Sequence, residues 1–495
     1  MNRKEVKYGA ILSYILIIAN TVYGFIVSPY LVGTLGTSEF GVYKAIGSMA
    51  SSIMVLDVGI GATVQRYVAK FRAEGNSQQI GSYTGMGLTV SGGINVLVLL
   101  VCAILYASLD RIYGASFSAA EMETANRIFA LFTLQMVLHI FENVIQGTIS
   151  GLNRFVFANS LKLITLALRT LSVYCLLPVF RSATTLLYIS IGVEVFLLIA
   201  ELLFLYLRGG IRIRFTRMDR GLFKESGIYT LMMFVQAMTA QVNANLDNTV
   251  IGAIVGTVAV SVYSFGLTIF NMFQQLSTAI SGVMLPTVTN ELKDGADGRR
   301  LEDLVISAGR VQFLLLGSAL VGFCIIGQDF IKLWLGDGFE DVWVITLILM
   351  IPAIWELSQN VCLAILRAKN LLGVRTVALL CGTVLNFLIS WFGTKHFGYY
   401  AAAFGTAFSI TTVSLITMNI YYYRVLHLNI LRIFGQILKH TLPLILCAAS
   451  ALLVAHLLLQ SVTWFTLVAK IAVYLLVGGF VLILHSILRR KRKEA

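Results

Sequence analysis

Apolar runs of about 25 residues, each closed by a short turn or a basic cluster, recur from one end of this chain to the other. Lipid offers no partner to a backbone N–H or C=O, so a chain crosses it only as helices or as a closed barrel. These runs are continuous and long rather than alternating segments of about ten residues, which predicts an all-α fold. The spans fall near 8–35, 41–66, 80–108, 126–149, 157–180, 184–207, 224–254, 258–287, 303–328, 342–366, 372–394, 399–423, 440–460 and 463–487. The first lacks the small-residue cleavage site of a removable signal and is expected to stay as a helix.

Only 12% of residues are charged and 58% are hydrophobic, against roughly 25% charged in a soluble domain. No hydrophilic stretch is long enough for a separate aqueous domain. Positive charge is retained on the cytoplasmic side of a membrane, and with both termini placed there the inner segments hold 28 of the 37 lysines and arginines. The net charge of +13 therefore reports topology, and a nucleic-acid partner is not expected.

Gly36, Thr37, Val42 and Tyr43 are matched by Gly256, Thr257, Val262 and Tyr263, and Val144 and Asn153 by Val361 and Asn370. Six spans separate the equivalents, which predicts two parallel six-helix bundles related by an axis along the membrane normal. The expected divisions are a first bundle over 1–207, a basic cytoplasmic linker over 208–223, a second bundle over 224–423, two additional helices over 440–487 and a basic tail over 488–495. The linker, with Arg208, Arg212, Arg214, Arg217 and Arg220, suits the inner leaflet, with a phosphate-bearing substrate as the other candidate.

No enzyme chemistry is legible. The six cysteines form no Cys-x-x-Cys pair, the six histidines lack metal-ligand spacing within the sequence, and no phosphate-binding glycine loop is present. No catalytic residue, cofactor or metal is expected. What remains is the polar content of the spans, where an ionised group costs roughly 2.5–3.5 kcal/mol at mid-depth and turns toward a cavity or a partner. Gln135, His139, Glu142 and Gln146 share one face of the fourth span, and Asn159, Lys162, Thr165, Arg169 and Ser172 one face of the fifth. Gln236, Thr239, Asn243 and Asp247 do so in the seventh, and Ser264, Thr268, Asn271, Gln275 and Thr278 in the eighth. Such stripes line a hydrated crevice or make interhelical hydrogen bonds worth about 0.6 kcal/mol each.

Arg169 lies near mid-membrane and Lys162 nearer the inner mouth. Either holds a diphosphate or an acidic sugar, or pairs with Glu142, Glu194 or Glu201. Asp57, Glu142, Asp247 and Glu356 are candidates for ion coupling, because buried carboxylates exchange protons or bind sodium.

Three stretches carry a resemblance: LGTSEFGVYKAIGS from Leu35 to Ser48, LDVGIGATVQRYVAKF from Leu56 to Phe71, and FIKLWLGDGFEDVW from Phe330 to Trp343. With the length and span count, the chain resembles the Wzx-like polysaccharide or oligosaccharide flippases of the multidrug/oligosaccharidyl-lipid/polysaccharide exporter superfamily. That resemblance implies a V-shaped pair of bundles plus two terminal helices in the bacterial cytoplasmic membrane. It implies transport of a polyprenyl-diphosphate-linked oligosaccharide by alternating access, with membrane lipids, a glycan polymerase or other biosynthetic proteins as partners and a proton or sodium as coupling ion. The substrate-binding set is then Arg169, Lys162, Asn159, Asn243, Asn271 and Gln275. The chain departs from the family's cationic cavity, since Asp57, Glu142, Glu194, Glu201, Asp247 and Glu356 outnumber Lys44, Lys162 and Arg169 in the repeat spans. A neutral glycan fits that balance. The excess of acids also suits a cation or drug antiporter of the same superfamily, whereas the short outer segments speak against a membrane-embedded glycan polymerase or ligase.

Overall fold

The computed structural model describes residues 3–494 apart from Val58, 216–240, 242–244, 294–297, Asn370 and Leu372. Among the described residues there is no β-strand, and eleven helices are long and apolar enough to cross a membrane. The protein is a multi-pass membrane protein. The eighth and fourteenth expected runs coincide in position with helices Thr257–Lys293 and Trp464–Glu494, while the seventh, 224–254, lies largely outside the described residues.

The chain divides into two compact units, Met1–Ser261 and Val262–Ala495. In the first, α1 (Arg3–Leu35) and α2 (Thr37–Ile53) lead through a 3-10 turn (Met54–Asp57) into α3 (Ile60–Ala73). There follow α4 (Ser77–Tyr106), the short α5 (Leu109–Tyr113), α6 (Ala119–Gly151), α7 (Phe155–Phe180), α8 (Ala183–Leu207) and the helical residues 245–254. The second unit contains most of α9 (Thr257–Lys293), then α10 (Gly298–Leu335), α11 (Asp341–Ser358), α12 (Asn360–Ala368) and α13 (Gly373–Phe397). It closes with α14 (Tyr399–Ile410), a π-helical turn (Thr411–Thr417), α15 (Met418–Leu426), α16 (Ile430–Leu458) and α17 (Trp464–Glu494).

The repeated Gly-Thr has a local cause. Gly36 and Gly256 adopt φ of 83° and 114°, a region that costs any residue with a Cβ, and α2 and α9 each begin at the threonine that follows. Glu121 gathers both starts. It closes a capping box with Ser118 at the head of α6, and its other oxygen accepts from the hydroxyls of Ser38 and Thr257.

Two spans expected to be continuous are broken. The second stops at Asp57, where Gly59 turns left-handed at φ 106° before α3 resumes. The tenth breaks at Gln359, between α11 and α12. A third helix is locally underwound: in the π turn, the Thr417 hydroxyl donates to the Thr412 carbonyl five residues back at 2.9 Å.

Glycines set the closest helix contacts, as they do where lipid supplies no hydrophobic drive between helices. A Cβ at Gly147 of α6 would fall on the Gly61 carbonyl of α3, and one at Gly151 on Val68. In the second unit Gly309 and Gly317 of α10 admit Ile437 and Ile445 of α16. The last two helices, α16 and α17, are therefore built into this unit. Tyr474 donates to the Ser318 carbonyl at 2.9 Å, and Lys470, 1% exposed, bonds Asp329 at 2.7 Å with His456 Nδ1 at 3.2 Å. Elsewhere the apolar side chains of α1, Tyr14, Ile17 and Ile18 among them, face outward, which is stable only against lipid.

Candidate functional site

The polar interior of the first unit is assembled by four elements. The broken second span presents Asp57, α6 presents His139, Glu142 and Asn143, α7 presents Lys162, and α8 presents Glu194 and Glu201 two turns apart. All four carboxylates are buried, with Glu201 fully so.

The break after Asp57 brings its carboxylate to α6, where the Asn143 amide donates to Oδ2. Oδ1 has no hydrogen-bond partner. His139 Nδ1 lies 2.8 Å from Glu194 Oε1 and 3.8 Å from Glu142 Oε2. The ring is 41% exposed while the two carboxylates are not, because its face lines a cavity of about 190 Å³ with Ser51, Met54, Phe132 and Gln135. Two members of the fourth-span stripe, Gln135 and His139, therefore do border open space. Neither oxygen of Glu201 has a hydrogen-bond partner, and the charges acting on it are Glu142, Lys162 and Glu194. Among the described residues four buried acids share one lysine and one histidine. An uncompensated carboxylate at this depth is costly, a cost that protonation or a bound cation relieves.

Arg169 stands apart from this group. No ion pair joins it to Glu142, Glu194 or Glu201 among the described residues; its charge acts instead on Tyr23 of α1 and Tyr43 of α2, and its Nε is buried without a partner. Beside it on α7, Leu168 and Ser172 line a mostly apolar cleft of about 660 Å³ with Leu176, Phe180 and Tyr188. The two remaining stripe residues of that helix are spent on local bonds: the Asn159 amide donates to the Gly9 carbonyl at 2.9 Å and to Ser13 Oγ at 2.8 Å, and the Thr165 hydroxyl to the Lys162 carbonyl at 2.9 Å.

The other expected residues lie elsewhere. Asp247 is buried in residues 245–254, next to Asn248, whose amide donates to Ser48 Oγ at 3.0 Å. Asn243, with Gln236 and Thr239 of the same stripe, lies outside the described residues, as do Arg217 and Arg220 of the linker. Asn271 and Gln275 are exposed on one face of α9. Glu356 faces Arg375 at 3.8 Å. Sequence reasoning named His139, Glu194 and Glu201 only as a stripe member and as pairing acids. Their meeting spans more than 50 residues, and no local spacing announces it.

The model of the family described as polysaccharide biosynthesis protein matches residues 6–290, more than half of the chain. The chain belongs to this family. A putative O-antigen transporter of Salmonella typhi is 20% identical over 412 residues, which cover 79% of this member and 90% of that protein. Among solved structures, the lipid II flippase MurJ in an inward closed conformation superposes with a TM-score of 0.74 at 13% identity, covering 98% of this chain and 99% of that one. An inward-facing multidrug resistance MATE family transporter of the MOP superfamily follows at 0.64 and 12% identity, covering 85% and 94%. This member of the polysaccharide biosynthesis family thus has the helical fold of that transporter superfamily, as the three sequence stretches implied.

Proposed function

We propose that this protein flips a polyprenyl-diphosphate-linked oligosaccharide, a precursor of cell-surface polysaccharide, across the bacterial cytoplasmic membrane by alternating access coupled to a proton or sodium. The observation that carries the reading is Arg169: a half-buried side chain whose Nε is buried and unpartnered, beside an apolar cleft of about 660 Å³. A diphosphate joined to a long apolar chain is the cargo class that answers both features. The relatives named for O-antigen and lipid II transport support the same class.

In this reading Arg169 and Lys162 attract the diphosphate, and the exposed amides of Asn271 and Gln275, with Asn243, meet sugar hydroxyls. Asn159 positions α7 against α1. Asp57 and Glu142 are the principal coupling acids, with Asp247 and Glu356 completing the set drawn from the sequence. The basic inner segments hold both termini in the cytoplasm.

The experiment is complementation of a strain lacking its glycan flippase, run beside a test for resistance to cationic dyes. Restored surface glycan without dye resistance, lost again in an expressed Arg169→Ala variant, is the expected outcome. Full activity of that variant removes Arg169 from the proposal. Dye resistance without glycan rescue favours the second reading, a cation or drug antiporter, to which the acid group of the first unit and the multidrug transporter fold lend support.

A further inference from the structure

His139 Nδ1, a Glu142 oxygen and a Glu194 oxygen all lie within 4.8 Å of one another. Around a tetrahedral ion with bonds of about 2.0 Å, neighbouring ligand atoms stand about 3.3 Å apart. The two His139 separations, 2.8 and 3.8 Å, bracket that value. We propose that the first unit holds a divalent transition-metal ion, zinc by its geometry, between α6 and α8 on His139, Glu142 and Glu194.

Three further observations point to a bound cation here. Asp57, 2% exposed, acts on His139 and Glu142 and leaves Oδ1 without a hydrogen-bond partner. Glu201, 0% exposed, leaves both oxygens so and acts within the same group. Gln135, one turn before His139 on the wall of the 190 Å³ cavity, has its side-chain oxygen buried and unpartnered. Among the described residues, Lys162 is the one fixed cation that acts on Glu142 and Glu201, and Arg169 joins none of these acids in an ion pair.

The donor set selects the ion class. Calcium takes six to eight oxygens and magnesium an octahedron of oxygens and waters, whereas one imidazole with two carboxylates and an open fourth position suits zinc and its neighbours. A fourth position turned toward the cavity that His139 lines would give a metal-bound water room, with the Gln135 oxygen as an acceptor. Seating the ion requires the histidine–carboxylate hydrogen bond to give way to two metal bonds, with the ring nitrogen deprotonated.

Cobalt(II) is the probe, added to purified full-length protein after chelator treatment, because a tetrahedral site gives it strong visible absorption. One equivalent should bind with that spectrum, and zinc should displace it. His139→Ala, Glu194→Gln and Glu142→Gln should each weaken binding by at least about tenfold, and exposed Glu123→Gln should not. Two conservative carboxamide variants beside the histidine variant guard against a misfolded one. A wild-type protein that develops no tetrahedral cobalt spectrum, because the group takes up protons alone, overturns the proposal. So does undiminished binding in all three variants. Binding is read without transport, so its failure leaves the flippase reading standing, and failed glycan rescue leaves the metal site standing.

Discussion

Both units bury ionisable groups, and they dispose of the charge in opposite ways. In the second, among the described residues, Asp329 pairs with Lys470, Glu302 with Arg432 at 2.7 Å and Glu356 with Arg375, and Asp341 accepts from the Tyr399 and Tyr400 hydroxyls. In the first, Asp57, Glu142, Glu194 and Glu201 crowd around one histidine and one lysine, with three carboxylate oxygens left without hydrogen bonds. Matched charge holds helices together; unmatched charge waits for a ligand. The lesson is that burial of a charge does not by itself mark function, whereas burial without compensation does.

The largest effect that tests this contrast belongs to the second unit. Lys470→Met leaves Asp329 with the His456 ring at 3.6 Å in place of a fixed cation and should destabilise the protein by about 3 kcal/mol, seen as a lower melting temperature in detergent. Replacing both partners, Asp329→Leu with Lys470→Met, should recover most of the loss, since an apolar pair of similar volume often matches a buried ion pair. If the double variant melts as low as the single one, the pair is more than a clamp. Asp57→Asn should do the reverse. Transport should fall by at least about tenfold, equivalent to roughly 1.4 kcal/mol, while the melting temperature holds or rises because a costly buried charge is gone. A melting loss equal to that of Lys470→Met would erase the distinction between the units. The smallest effect is expected where charge is neither buried nor unmatched: Arg127→Gln breaks an exposed pair with Glu123 and should change stability by less than about 0.5 kcal/mol.

The helices were legible because lipid imposes one solution on a long apolar run, and the expected ends of α4, α7 and α8 lie within a few residues of those observed. The breaks at Asp57 and Gln359 were not. Helix hydropathy continues through both, and at the first the only trace is the pair Gly59 and Gly61. The candidate site was half legible for a related reason. Period counting finds the faces of single helices, so it put His139 and Glu142 together. It cannot say which face of α8 turns to meet them, and so Glu194 and Glu201 entered only as acids in reach. For Asn159 the same counting found a shared face and placed it in the substrate-binding set, and it could not see the tie to α1 that its amide makes.

The glycine contact of α3 with α6 has a mechanical consequence. Backbones that touch at Gly61, Gly147 and Gly151 leave no side-chain layer to shear, so these two helices travel as one beam. Asn143 is part of the seam, its side-chain oxygen lying against Gly61, and it also grips Asp57. With that beam fixed, a change in the spacing of Glu142 and Glu194 comes from α8, which meets it like a pawl against a rail.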